Sequence, residues 1–227
     1  IRRRSAAAMA RAWQVVPHVL QAVEVDYSRI EAVRRSEGEG WRAREGFPLT
    51  YLPFLAWATC QALLRYDQLN GRIEGDTLVV SRRIHLGIAV DLDHEGLAVP
   101  VIRDAQDRNV AALAREIRRL ALGARGNTLR PDDFAQPTYT LSNSGSFGTL
   151  ITAPLVNPPQ VAILSIDGVS KRPVVVESAE GDSIAIRPVG VLAQSFDHRA
   201  IDGAYSAAFL KELKRIVETR AWGEEVT

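Results

Sequence analysis

The spacing of apolar side chains changes period several times along this chain. From Val19 to Asp26 apolar and polar residues alternate as in a half-buried strand, after which Ser28 is positioned to cap a helix through Ile30, Val33 and Arg34. An Ala-rich segment from Ser5 to Gln14 precedes them, has good helix propensity, and is stopped by Pro17. The run Ser36-Glu37-Gly38-Glu39-Gly40 breaks the second helix. Thr50 then caps a longer one, in which Phe54, Leu55, Ala58, Ala62, Leu63 and Tyr66 recur at helical spacing around Cys60. Strand segments follow at 77–80, 86–90 and 97–102, parted by polar turns such as Asp93-His94-Glu95-Gly96.

An amphipathic helix carries Val110, Leu113, Ile117, Leu120 and Ala121 on one face and Arg115, Arg118 and Arg119 on another, ending at Gly123 and Gly126. Strands are expected at 138–142, 161–164, 174–176, 184–186 and 189–196. A last helix starts near Asp202 and buries Ala204, Ala208, Leu210, Leu213 and Val217. No linker, repeat or low-complexity tract interrupts this order, so the pattern predicts a single mixed α/β domain over 1–227.

Composition narrows the partners. The 227 residues carry a formal net charge of +1, and no apolar run approaches the ~18–20 residues of a membrane span, so nucleic acid and membrane are poor partners. Cys60 is the only cysteine, which excludes an intrachain disulfide. The N-terminus is basic and then small, without the apolar core of a secretory signal, which points to the cytoplasm. Lys171, Lys211 and Lys214 are the only lysines among 28 basic residues, an Arg skew that, with the many alanines, suggests a GC-rich bacterial source.

Two segments carry candidate chemistry. Phe196-Asp197-His198-Arg199-Ala200-Ile201-Asp202-Gly203 places a His and an Asp four apart where a strand hands over to a helix. A His near neutrality is a natural general base for a thiol or hydroxyl, and Asp202 can cap the helix, pair with an Arg, or both. Both residue types are also common at loop edges. The second segment, Thr140-Leu141-Ser142-Asn143-Ser144-Gly145-Ser146-Phe147-Gly148, is rich in hydroxyls able to donate to an oxyanion, although any turn favours the same residues. Gly-x-x-x-x-Gly-Lys is absent and Gly145-x-x-Gly148 lacks the earlier glycine of a dinucleotide fingerprint. His18, His85, His94 and His198 are scattered and one cysteine offers no pair, so no metal site is expected.

Six ordered segments resemble the catalytic domain of the dihydrolipoamide acyltransferases of 2-oxoacid dehydrogenase complexes, which share a fold with chloramphenicol acetyltransferase. They are Pro17-His18-Val19; Gly87-Ile88-Ala89-Val90; 96–105, from Gly96 through Val99-Pro100-Val101-Ile102 to Ala105; Leu141 to Gly148; Pro158-Pro159-Gln160-Val161-Ala162-Ile163-Leu164; and Asp197 to Gly203. The resemblance implies a two-layer mixed sheet with flanking helices, assembled as a trimer. It makes His198 the general base for the thiol of coenzyme A or of dihydrolipoyl, with Ser142 the oxyanion donor and Ser144 and Ser146 the alternatives. Asp202 would order the site through an Arg, with Arg2, Arg3 and Arg4 as possible partners. Coenzyme A is then a substrate and the lipoyl group is borne by a separate domain, without a metal.

The same resemblance implies active sites between subunits, His198 from one and Ser142 from its neighbour, so that a monomer is inert. Expected partners are a lipoyl domain and the oxoacid decarboxylase and dihydrolipoyl dehydrogenase subunits. Family trimers associate further through an apolar C-terminal tail, whereas Ala221-Trp222-Gly223-Glu224-Glu225-Val226-Thr227 is a poor apolar hook, which favours a trimer over a 24- or 60-chain core. Lipoyl and subunit-binding domains are absent from this sequence, which reads as a fragment of a longer chain. Ser165 stands where the family strand suggests Gly. Chloramphenicol acetyltransferase and peptide-synthetase condensation domains share the His-x-x-x-Asp-Gly signature but carry His-His where Asp197-His198 stands here. A non-catalytic core that anchors partner subunits is the other alternative, against which stand His198 and Ser142. Gly145-Ser146-Phe147-Gly148 and Lys171-Arg172-Pro173 favour a branched-chain acyl group over pyruvate-derived or 2-oxoglutarate-derived ones.

Overall fold

The computed structural model describes residues 2–179 and 181–226, with side chains from Ala6 onward. Helix α1 (Arg2–Val15) leads into β1 (His18–Asp26), α2 (Ser28–Glu45) and α3 (Leu52–Leu63). A hairpin of β2 (Gly71–Glu74) and β3 (Thr77–Val80) precedes β4 (Leu86–Asp91), β5 (Leu97–Ala98), β6 (Val101–Ile102) and α4 (Val110–Arg125). The chain closes with β7 (Tyr139–Asn143), β8 (Ala162–Ile166), β9 (Ser170–Val176), β10 (Ser183–Asp197) and α5 (Gly203–Thr219). The main sheet runs β1-β10-β8-β7-β4-β5, with β6 also on β4 and β9 also on β10. Strands β4, β7 and β8 are mutually parallel and the remaining pairings of this sheet antiparallel, so the expected mixed sheet is present.

The two faces of that sheet differ in chemistry. Ile88, Leu141, Leu164, Leu192 and Phe196 point toward the helical layer and join Phe54, Leu55, Leu113, Leu213 and Val217 in one core. On the opposite face the aligned positions Ala89, Ser142, Ser165 and Ala193 are small, and a buried apolar cluster of Val16, Val156 and Ile163 lies there. Alternation along each strand produces this split. The face that carries Ser142 is therefore paved with short side chains.

Several boundaries differ from the pattern. Helix α2 continues through Gly38 and Gly40 and ends at Gly46, whose φ of 74° is the left-handed stop favoured by glycine. Two interior glycines cost ~1 kcal/mol each, whereas truncating a buried Trp costs ~3–5 kcal/mol, so fully buried Trp41 with its edge-on contact to Phe47 wins. Neither Ser28 nor Thr50 caps a helix by its side chain; the Asp26 carboxylate instead accepts from the Ser28 backbone N–H at 2.7 Å. The 97–102 segment splits around Pro100, which has no N–H to give but accepts from Ile88 at 2.8 Å through its carbonyl. Helix α4 passes Gly123, where Leu129 packs so closely that an added Cβ would lie 2.4 Å from it, and stops at Gly126.

The two strands expected at 184–186 and 189–196 are one. Pro188 lies within it where the strand changes partners, its first part pairing with β9 and its second with β1 and β8. In α5, Ala204 is exposed and Ala208 partly buried, while Leu210, Leu213 and Val217 form the buried face. The tail folds back: Trp222 and Val226 are buried, and Trp222 packs edge-on against Phe54 and Trp57 and donates to the Val217 carbonyl at 3.1 Å. Among the described residues no helix is long and apolar enough to cross a membrane.

Candidate active site

His198 follows the last residue of β10, and its backbone N–H donates to the Pro17 carbonyl at 3.1 Å. Its ring is exposed and lies 5.7 Å from the Phe196 ring, with no protein hydrogen bond to either nitrogen among the described residues. The backbone beneath it is fixed by a buried carboxylate. Asp197 is 1% exposed and accepts from Arg199 Nε at 3.0 and 3.2 Å, from Nη2 at 2.6 Å and from the Arg199 backbone N–H at 3.0 Å. These bonds to Asp197 hold the Arg199 guanidinium pKa above its ordinary value. The neighbouring His18 is spoken for: Nδ1 donates to the Val16 carbonyl at 2.8 Å, leaving Nε2 to accept the Val156 N–H at 3.0 Å. Of the two, only His198 has a nitrogen free to take a proton.

Asp202 is the N-cap residue of α5 by backbone geometry, yet its side chain makes no cap bond and is exposed. No Arg among the described side chains pairs with it. Those of Arg2, Arg3 and Arg4, its expected partners, lie outside the described residues.

Ser142 sits at the far end of β7, beside Ala89 of β4 and Ser165 of β8, and is half-buried. Among the described residues no group hydrogen-bonds its hydroxyl. Beyond it the chain makes a tight turn, Gly145 to Phe147, closed by Gly148 at φ 71°. Ser144 N–H donates to the Ile166 carbonyl at 2.9 Å, and Gly168 N–H to the Thr149 carbonyl at 2.8 Å, so the turn is sewn to the end of β8. Ser146 is exposed on this turn, while Ser142 alone of the three serines belongs to the strand and faces the small-residue surface.

The register shows that one chain does not bring the candidates together. Ser142 aligns through Ser165 with Ala193, which precedes His198 by five residues on β10. At about 3.3 Å per residue and about 4.8 Å per strand spacing, the two side chains lie roughly 20 Å apart, at opposite ends of the sheet. His198 and Asp202 share one end and Ser142 occupies the other. At the His198 end, a cleft of about 660 Å³ is lined by His85, Val99, Thr138, Pro158, Pro159 and Gln160 among others. His85 is a half-buried acceptor for the Asp104 N–H, and His94 is an exposed turn residue 6.2 Å from the Phe147 ring. Sequence reasoning missed the carboxylates that hold the two ends, Asp197 and Asp167. Asp197-x-Arg199 was a readable signal for the first, whereas the partners of Asp167 are distributed over 149–165.

With this geometry in view, comparison defines the class. The chain belongs to the family described as 2-oxoacid dehydrogenases acyltransferase (catalytic domain), whose pattern matches residues 1–222. It is 35% identical over 96% of its length to the lipoamide acyltransferase component of the branched-chain alpha-keto acid dehydrogenase complex of Bacillus subtilis. It is 39% identical over 92% of its length to the dihydrolipoyllysine-residue acetyltransferase component of the pyruvate dehydrogenase complex of Mycobacterium tuberculosis. The chain spans 51% and 38% of those relatives. A probable dihydrolipoamide acetyltransferase from Listeria monocytogenes superposes with a TM-score of 0.90 at 34% identity, covering 100% of this chain and 92% of that one. A chloramphenicol acetyltransferase at 16% identity and TM-score 0.55, covering 93% of this chain and 94% of that one, shares the fold, as the motifs suggested.

Proposed function

We propose that this domain transfers an acyl group between a dihydrolipoyl thiol and the thiol of coenzyme A, as the catalytic core of a 2-oxoacid dehydrogenase complex. The observation that carries this reading is an exposed imidazole whose nitrogens have no hydrogen-bond partner among the described residues, on a strand end held by the Asp197–Arg199 pair, in a chain whose family match spans residues 1–222. A thiol of pKa ~8.5 is mostly protonated at neutral pH, so a neutral His198 in reach of it supplies the thiolate. That thiolate attacks the thioester carbonyl carbon and the C=O pair becomes an oxyanion, to which the Ser142 hydroxyl donates. Collapse re-forms the carbonyl, breaks the original C–S bond and expels the second sulfur, which takes the proton from the imidazolium.

Because His198 and Ser142 lie at opposite ends of one sheet, the reaction needs a second chain. In a cyclic trimer each His198 faces the Ser142 of the next subunit, and a monomer is inert. Asp202, exposed at the start of α5, is available to an Arg that orders this junction. We favour a trimer over a larger cage; Trp222 and Val226 are buried in their own chain, so neither side chain is free to dock on another trimer. The partners are a lipoyl domain, the oxoacid decarboxylase and the dihydrolipoyl dehydrogenase, in a bacterial cytoplasm.

For the acyl group we favour a branched chain. Relatives acting in branched-chain and pyruvate complexes are about equally similar, so the preference rests on Gly145 to Gly148 beside Ser142. Lys171 to Pro173 lie on β9, outside that neighbourhood, and lend it no geometric support. The test is transfer from acetyl-, isobutyryl- and succinyl-coenzyme A to dihydrolipoamide, with sedimentation of the same sample. Transfer by a trimer, fastest with isobutyryl donor, is expected. No transfer by a well-folded trimer would contradict the reading and favour a structural core that anchors partner subunits.

A further inference from the structure

Asp167, the residue that follows β8, is a carboxylate 1% exposed, with no Arg, Lys or His paired to it among the described residues. An unpaired buried charge is costly unless its lone pairs are filled. Here hydroxyls and one N–H fill them: Thr149 Oγ1 and Thr152 Oγ1 each donate to Oδ1 at 2.6 Å, while Thr152 N–H and Ser165 Oγ donate to Oδ2, both at 3.1 Å. These donors come from two places. Ser165 is the strand residue directly beside Ser142, about one strand spacing away. Thr149 and Thr152 belong to the segment that leaves Ser142 through the 145–147 turn, and Thr149 Oγ1 also lies 3.2 Å from the Ser144 carbonyl.

Between those anchors the chain displays Phe147, Leu150 and Ile151 at 63%, 60% and 48% exposure. Three apolar side chains are thus held out in solvent by a loop whose backbone is tied down at both sides. The Ser165 hydroxyl, at a position where Gly was expected, is the strand-side tie.

We infer that Asp167 is a positioning residue for the proposed acyl transfer: through Ser165, Thr149 and Thr152 it locks Ser142 and the Phe147–Ile151 loop into one unit that presents hydroxyl and acyl pocket wall together. This rests on the acyltransferase reading of Ser142. Displacing a catalytic group by ~1 Å can cost ~100-fold in rate, so releasing the loop acts on turnover more than on binding of the thiol.

The experiment is steady-state transfer from acetyl- and isobutyryl-coenzyme A by wild type, Asp167→Ala and Asp167→Asn, with sedimentation and thermal unfolding of the same preparations. Asp167→Ala is expected to lower kcat by ~10-fold or more at near-constant KM for dihydrolipoamide and to change the ratio between the two donors. Asp167→Asn is expected to recover most of kcat, because its amide oxygen accepts the Thr152 N–H and Ser165 hydroxyl while its NH2 faces hydroxyls that can turn and accept. If Asp167→Ala does not fold, the double variant Ser165→Ala with Thr152→Val replaces it, with the same expected direction. A folded trimer of Asp167→Ala, or of the double variant in its place, with unchanged kcat and donor ratio overturns the inference alone. A wild type that transfers neither acyl group overturns the acyltransferase reading and this inference with it.

Discussion

The two ends of the sheet are built on opposite plans. At the His198 end a buried carboxylate, Asp197, is neutralised by an adjacent guanidinium, and the functional side chain stands exposed on a backbone with little freedom. At the Ser142 end a buried carboxylate, Asp167, is satisfied by hydroxyls and one N–H, and the functional hydroxyl sits in a strand while the flanking loop is exposed and apolar. The first plan uses charge to fix a base in space. The second uses neutral hydrogen bonds to fix a surface. A general base needs an unobstructed nitrogen and a defined position, whereas an oxyanion donor with an acyl pocket needs shape. In the proposed reaction, this difference is what lets each end supply what the other lacks.

The sharpest way to break this comparison is at the base. His198→Ala is expected to lower transfer by roughly 10²–10⁴-fold while leaving assembly and thermal midpoint intact, since the ring is exposed and makes no hydrogen bond among the described residues. Steady-state kinetics and sedimentation check both halves. At the other end, Ser142→Ala is expected to cost ~10²–10³-fold in kcat, with Ser144→Ala and Ser146→Ala changing it far less. Comparable losses in all three would mean that the turn, and not the strand serine, stabilises the oxyanion.

Smaller effects sharpen the contrast between charge and neutral anchoring. Arg199→Ala leaves the Asp197 carboxylate buried without its cation and is expected to cost about 2 kcal/mol in urea unfolding, a buried-pair penalty reduced because Arg199 is half exposed. Asp197→Ala leaves the half-exposed Arg199 guanidinium and its backbone N–H without the carboxylate but buries no charge, and is expected to cost less stability than Arg199→Ala. Gly38→Ala belongs to neither end and sets the floor. An added Cβ there meets nothing within 4 Å, so ~0.5–1 kcal/mol of stabilisation without change in transfer is expected.

Periodicity made most of the elements legible because the apolar faces of α3, α4 and α5 and the alternation in β1 follow from which layer each side chain enters. It failed where local signals met long-range packing. Gly38 and Gly40 read as a break because the burial of Trp41 against Phe47 is invisible to a local window. The strands expected at 184–186 and 189–196 are one because a strand that changes partners midway can hold Pro188, a residue without an N–H. His198 and Asp202 were visible as a strand-to-helix handover, and the motif resemblance gave them roles. Their separation from Ser142 required the register of three strands, and the work of Ser165 required Asp167, Thr149 and Thr152 to be seen converging.

The claim on which the rest depends is that one working site takes its base from one chain and its hydroxyl from another. Two inactive variants, His198→Ala and Ser142→Ala, can be unfolded, mixed in equal amounts and refolded together, then assayed for transfer against each refolded alone. If sites lie between subunits of a ring, random mixing restores one unmodified His198–Ser142 pair in about a quarter of the sites, and activity rises to about a quarter of wild type. If the mixture stays at the level of the separate variants while refolded wild type recovers its activity, both groups act within a single chain and the account is wrong.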